Sequence, residues 1–323
     1  MRAPITLSLH LPNFNYPGIE PEDLFEHLVK IVRTAEDSGF SSITVMDHLH
    51  QIPGVGPRTN YMLEGNTILG ALAARTSRVS VGLLVAGVTY RNPALLAKIT
   101  TTLDVISGGR AILGLGAAWY EDEHDAYGYA FPPLKERFER LEEALRIARA
   151  MFTQEESSVE GAHYRTHDVL NSPRPLRGDI PIMVGGSGER KTLRLVAQYA
   201  DACNLFGDVE RVRHLLGVLE RHCETVGRDS SEITKTKMIT GLYIDASHEE
   251  AMRKFDAAKA AGLPEDRARM AIAGGPEAVA EQAQAFLDAG VEGLTLSIPD
   301  VHDLERVALA GETLGPLVGA PAR

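Results

Sequence analysis

Asp47 and His48 follow directly on the apolar run ITVM, and an imidazole beside a carboxylate can move a proton near neutral pH. As a functional group His48 would act as a proton donor. As an ordinary histidine it would lie at the surface, capped by the neighbouring acid. Further along, VGGSGERKTLRLVAQYADACN runs from Val184 to Asn204. Gly185, Gly186 and Gly188 would let a phosphate approach the free N–H groups of a helix start, with the Ser187 hydroxyl beside them. Arg190, Lys191 and Arg194 add positive charge to the expected first turns. The same glycines also suit a plain strand-to-helix turn. The loop is neither GxGxxG nor a P-loop, because Glu189, Arg190 and Lys191 follow Gly188 and no GK[ST] triplet closes it. A third stretch is AILGLGAAWYEDEHDAYGY. Its Gly114, Gly116, Ala117 and Ala118 leave room either for a flat ligand or for close helix–sheet packing. Trp119, the only tryptophan, and Tyr120 supply aromatic surface suited to a planar partner. His48 and His50 beside Asp47, or Glu123, His124 and Asp125, would be candidate metal ligands. Neither group has HExxH spacing, and no metal site is expected.

These residues need a scaffold that brings strand ends together. Strand-like apolar runs alternate with helix-like amphipathic runs, and the strands start near Ile5, Ile43, Val79, Ala111, Ile180, Asp201, Lys237 and Gly293. PEDLFEHLVKIVRTAEDSGF shows the helical pattern, with Leu24, Leu28, Ile31, Val32 and Ala35 on one face. Its acids near the start and Gly39 at the end suit helix termini. Repeated strand–helix units imply parallel pairing, and eight of them favour a closed (β/α)8 TIM-type barrel over an open sheet. TKMITGLYID reads as one strand. Two long stretches, SSVEGAHYRTHDVLNSPRPLRGD and AMRKFDAAKAAGLPEDRARMAIAGG, read as insertions with structure of their own. The expectation is one domain over residues 1–323. In such a barrel all three candidate stretches fall at C-terminal strand ends, where barrel active sites form.

Composition bounds the alternatives. A net charge of −11 over 323 residues argues against a nucleic-acid binder, although local arginines could still form a positive mouth. Cys203 and Cys223 form no CxxC pair, which argues against structural zinc. The start, MRAPITLSLHLPNF, lacks a signal-peptide core, and no run is apolar enough to span a membrane. A reduced, cytoplasmic protein is expected.

Together VMDHLHQ, LLVAGVTYRNPALLAKITTTLDVISGGRAILGLGAAWYEDEHDAYG, FPPLKERFERLEEALRIARAMF and PIMVGGSGERKTLRLVAQYADACNLF resemble the luciferase-like family, above all its coenzyme F420-dependent oxidoreductases. The resemblance spans nearly the whole chain. It implies a cofactor ring at the barrel mouth, a small-molecule substrate and a homodimer. It implies a bulge behind the ring within Leu83–Gly87, often with a non-proline cis peptide, so that Leu84, Val85 and Ala86 join the cofactor site. Asp47 matches a cofactor-contacting acid, and His48 an active-site histidine. Ala117, Ala118 and Asp122 match positions lining the deazaflavin. Gly185, Gly186, Gly188 and Glu189 match its phosphate loop, with Ser187 among them. Trp119 and Tyr120 would face substrate. Arg190, Lys191 and Arg91 could attract the acidic tail of F420. Trp119 stands where the sugar-phosphate dehydrogenases of the family carry a catalytic Glu, and their phosphate-binding basic set is not evident. A reductase on another organic substrate is therefore expected. The alternatives are an FMN-dependent monooxygenase and a cofactor-binding protein without turnover.

Overall fold

The computed structural model describes residues 2–319. Eight parallel strands close on themselves: β1 Leu7–Leu11, β2 Ser42–Val45, β3 Ser80–Leu83, β4 Ala111–Gly116, β5 Ile182–Gly185, β6 Ala202–Leu205, β7 Thr234–Ile239 and β8 Gly293–Ser297. Each pairs with its neighbours in chain order, β8 pairs with β1, and β3 pairs with β4 to seal the ring. The helices are α1 Pro21–Asp37, α2 Gly65–Ala73, α3 Pro93–Ser107, α4 Glu121–Tyr127, α5 Leu134–Thr153, α6 Thr192–Tyr199, α7 Val209–Val226, α8 His248–Ala260, α9 Glu265–Arg269, α10 Pro276–Asp288 and α11 Leu304–Val318. The expected (β/α)8 barrel is the fold observed. No helix of the described residues is long and apolar enough to cross a membrane.

Patterning explains the layers. The α1 face expected from spacing, Leu24, Leu28, Ile31, Val32 and Ala35, is buried, as a 3.6-residue period requires. On the strands, alternate residues part. Leu113 and Leu115 of β4, Val184 of β5 and Cys203 and Leu205 of β6 join the large core under the helices. The residues between them turn inward. Ile112, Met183 and Ala202 form a separate small apolar cluster with Ala3 and Ile5. Above it the interior is polar: Asn204 Nδ2 donates to Thr236 Oγ1 at 2.8 Å and to Thr295 Oγ1 at 3.0 Å. Cys203 and Cys223 are both free and buried.

One local assignment changes, and two other stretches gain detail. TKMITGLYID is two strands: β7 ends at Ile239, and Leu242–Ile244 leaves the barrel to pair with Ile272–Gly274 of the second insertion. The first insertion is an antiparallel pair, Glu156–Glu160 with Arg165–Leu170. The stretch after β4 contains the short helix α4, which hydrophobic periodicity did not reveal because its first turn is Glu121, Asp122 and Glu123.

Candidate active site

A cavity of about 540 Å³ opens among the C-terminal strand ends. Asp47, His48, Leu84, Val85, Ala86, Ala117, Ala118, Trp119, Gly185 and Gly186 line it, so the fold brings four distant stretches together. Tyr120, Asp122, Ser187, Gly188 and Glu189 do not line it. Asp122 is exposed on α4. Tyr120 packs edge-on to His48, with ring centroids 6.0 Å apart. The Ser187 hydroxyl accepts from Phe206 N–H at 2.8 Å, bracing the loop. Glu189 pairs with Arg211 at 2.6 Å and His214 at 3.2 Å. A Cβ on Gly188 would sit 2.8 Å from Thr192 Oγ1.

His48 is held by an acid other than its sequence neighbour. Its Nδ1 lies 2.8 Å from Glu123 Oε2 on α4. Glu123 is fully buried, and it also accepts from the Tyr90 hydroxyl and from the backbone N–H groups of Leu49 and His50. Burial alone would raise the Glu123 carboxyl, but the bonds from His48, Tyr90 and Leu49 bring it down to about 2. An ionised acceptor at Nδ1 directs a proton there. No described residue bonds Nε2, on the other side of the ring. His124, beside Glu123, points elsewhere: its Nδ1 lies 2.7 Å from Tyr120 O and its Nε2 2.6 Å from Thr89 Oγ1.

Asp47 serves the backbone and an arginine. Its Oδ2 accepts from Arg91 Nη1 at 2.7 Å and from Gly87 N–H at 3.0 Å, while Oδ1 is buried without a partner. Burial raises the Asp47 carboxyl above its usual range, against the pull of Arg91. Arg91 also binds Glu64 at 2.6 Å, so it is locked between two acids and is not a free cation for a ligand tail.

The bulge falls at Leu84–Val85, whose peptide bond is cis. Its position explains three glycines. Inward-facing Cβ atoms would lie 2.0 Å from Leu83 O at Gly114, 2.7 Å from Val85 Cγ2 at Gly116, and 2.9 Å from Val85 Cγ1 at Gly185. These glycines make room for the bulge inside the barrel, and Gly116 and Gly185 also line the cavity. Gly186 differs: its φ is +119° and only the Thr192 side chain comes within 4 Å of an added Cβ. Beside it, helix α6 starts at Thr192 without a side-chain cap. Arg190 and Lys191 therefore lie in the loop ahead of the helix, where the sequence pattern had placed them on its first turn. Lys191 Nζ sits 5.1 Å from the Phe138 ring centroid at the cavity rim.

Two supporting residues were missed. His10, on the inner face of β1, lines the cavity with Nδ1 3.0 Å from Thr44 Oγ1. Burial, helped by nearby His48, pushes its pKa down to about 3, so it is neutral. The alternation in ITLSLHL was the available signal. Arg137 of α5 donates to Ala117 O at 3.3 Å and to Ala118 O at 2.5 Å. It pins a turn in which Ala118 has a φ of 58°, a conformation that costs a non-glycine residue about 1–2 kcal/mol. No short-range pattern announces that contact.

Comparison with known proteins places this geometry. The chain is 32% identical, over 91% of its length and 92% of the relative, to the F420-dependent glucose-6-phosphate dehydrogenase of Nakamurella multipartita. It is 28% identical to the enzyme of the same name from Segniliparus rotundus, covering 92% of this chain and 93% of that one. The coenzyme F420 dependent tetrahydromethanopterin reductase of Methanopyrus kandleri superposes with a TM-score of 0.78 at 20% identity, over 98% of this chain and 99% of that one, which shows a shared fold. Matched by the family model from residue 5 to residue 298, the chain belongs to the luciferase-like monooxygenase family.

Proposed function

We propose that this protein is an F420-dependent oxidoreductase that transfers hydride between the deazaflavin and a small organic substrate at the C-terminal mouth of the barrel. The observation that carries the chemistry is the His48–Glu123 pair, with Nε2 left free beside the cavity. The cofactor class is supported by the names of the full-length relatives.

The residues fit such a cofactor. Asp47 Oδ1 is a buried acceptor in need of a donor, and it would hold the cofactor through a donor group of the ring. Leu84, Val85 and Ala86 offer an apolar wall to a flat ring. Gly186 and the uncapped start of α6 offer open backbone to a phosphate. Exposed Arg190 and Lys191 lie next to that loop, where an acidic tail would leave the site.

When bound, the deazaflavin supplies or accepts the hydride. The chain's own residues manage the proton. With Glu123 ionised and accepting at Nδ1, a protonated His48 presents Nε2–H as a donor, and a neutral one presents Nε2 as an acceptor. Reduction of a C=O or C=C bond consumes one hydride and one proton, and His48 holds that proton. Trp119, which the resemblance sets where the sugar-phosphate dehydrogenases carry a catalytic Glu, has no carboxyl to share the task, which favours reduction of an activated double bond. His10, neutral and buried, adds no competing charge.

Fluorescence titration of the purified protein with F420 and with FMN tests this reading. F420 is expected to bind more tightly. Tighter binding of FMN, with oxygen consumption by the reduced flavin in the presence of substrate, would transfer the assignment to a monooxygenase. Tight F420 binding with no turnover across a broad substrate panel would leave a binding protein.

A further inference from the structure

The cavity has little charge to offer a substrate. Asp47 is committed to Arg91. Among the described residues lining the cavity, the remaining acid and base other than histidine are Asp266 and Arg267, and no lysine lines it. Arg267 is already engaged. Its Nη1 donates to Gly54 O at 2.9 Å and its Nη2 to Pro53 O at 3.5 Å, tying α9 to the loop after β2 across the mouth. Asp266 beside it offsets its charge. A phosphate dianion entering here would shed water without gaining a matching set of donors, a costly exchange. The wall facing that space is apolar: Ile52 and Val55 from one loop, Met270 after α9, Leu134 and Phe138 from α5, and Trp119. Trp119 is 58% exposed, so its ring face is available for a ligand to cover.

We propose that the substrate is an uncharged, mainly apolar small molecule held against Trp119, and that sugar phosphates are excluded. The inference rests on the site reading above and departs from the substrate in the relatives' names. Trp119 selects here by contact, as an exposed hydrophobic platform on the same cavity as His48.

Because Trp119 is the only tryptophan, emission excited selectively from tryptophan, at wavelengths where the tyrosines do not absorb, reports on this mouth. The probes are 2-cyclohexen-1-one, glucose 6-phosphate and glucose, each titrated into the cofactor-free protein and into the protein loaded with F420. The enone is expected to change Trp119 emission saturably, and glucose 6-phosphate and glucose to give no saturable change at tenfold higher concentration. Saturation by glucose 6-phosphate at equal or lower concentration, or no saturation by the enone in either form, overturns the proposal. Thermal stabilisation by the enone provides a second readout. It should persist in Trp119→Phe and need roughly tenfold more probe in Trp119→Ala, and equal stabilisation of both variants overturns the contact. F420 affinity is followed separately. Its absence removes the cofactor assignment, whereas binding of glucose 6-phosphate with F420 affinity intact removes the substrate class alone.

Discussion

Glu123→Gln keeps the length of the side chain and removes the charge that His48 leans on. Glu123 is fully buried, and its carboxyl is held at about 2 rather than 4.5 because bonds from His48, Tyr90 and Leu49 outweigh the cost of burial. At about 1.4 kcal/mol per pH unit, that difference is worth on the order of 3 kcal/mol to the folded state. The folded value lies below the unfolded one. The stabilisation is therefore complete above pH 4.5 and is lost as the pH falls from there toward 2. Glutamine would forfeit it at neutral pH and would also set an amide N–H against one of the donors that converge there. For a chain of this size we expect the midpoint of thermal unfolding at pH 7 to fall by about 5 °C, and the gap to the parent to narrow by about half at pH 3. His48 would lose its fixed tautomer as well, so single-turnover substrate reduction should slow by about a hundredfold while F420 affinity changes only a few-fold. Thermal unfolding at pH 7 and pH 3, with stopped-flow turnover on the same samples, measures both effects. An unchanged midpoint at pH 7 with parental turnover would refute the claim that an ionised Glu123 positions His48.

His48→Ala should slow turnover by at least about a hundredfold with cofactor affinity nearly unchanged, and a joint fall in affinity and rate would instead mark His48 as a ring contact. Gly186→Val places a branched side chain at a φ of +119°. It should cost about 1–3 kcal/mol in thermal stability and weaken F420 roughly tenfold, whereas normal affinity in the remaining folded protein would reduce the loop to a turn. Replacing Arg190 and Lys191 together by alanine should weaken F420 several-fold at low salt and hardly at all in high salt, since both are exposed. A salt-independent loss would show that they act other than through the acidic tail.

The barrel was legible because its information is local. Strand alternation, helical spacing and glycine-closed helix ends each lie within a window of about 20 residues, and eight repeats of one unit leave few ways to close. Asp47, His48, Trp119 and Gly186 were legible for a related reason. Each sits just beyond a strand, and a parallel barrel sends all such ends to one face.

The identity of the partners was not local. Sequence adjacency pointed to Asp47 as the orienter of His48, yet adjacent residues at a strand end project to different sides, and the carboxylate that meets Nδ1 lies 75 positions away. Among Glu121, Asp122 and Glu123 composition cannot choose. The phase of α4 does, burying Glu123 and leaving the other two in solvent. The glycines of β4 and β5 are ambiguous in the sequence because room for a ligand and room for a neighbouring backbone require the same missing Cβ. Only the approach of Val85 to Gly116 and Gly185 shows which space is filled, while Gly186 stays open. Arg91 looked like a free cation and is clamped by Asp47 and Glu64, two acids brought to it by the closure of the barrel. Residue type and period determine the scaffold and the rim of the site. Which charge meets which is decided by tertiary packing, because electrostatic and hydrogen-bond contacts act over a few ångströms of space, whatever the distance along the chain.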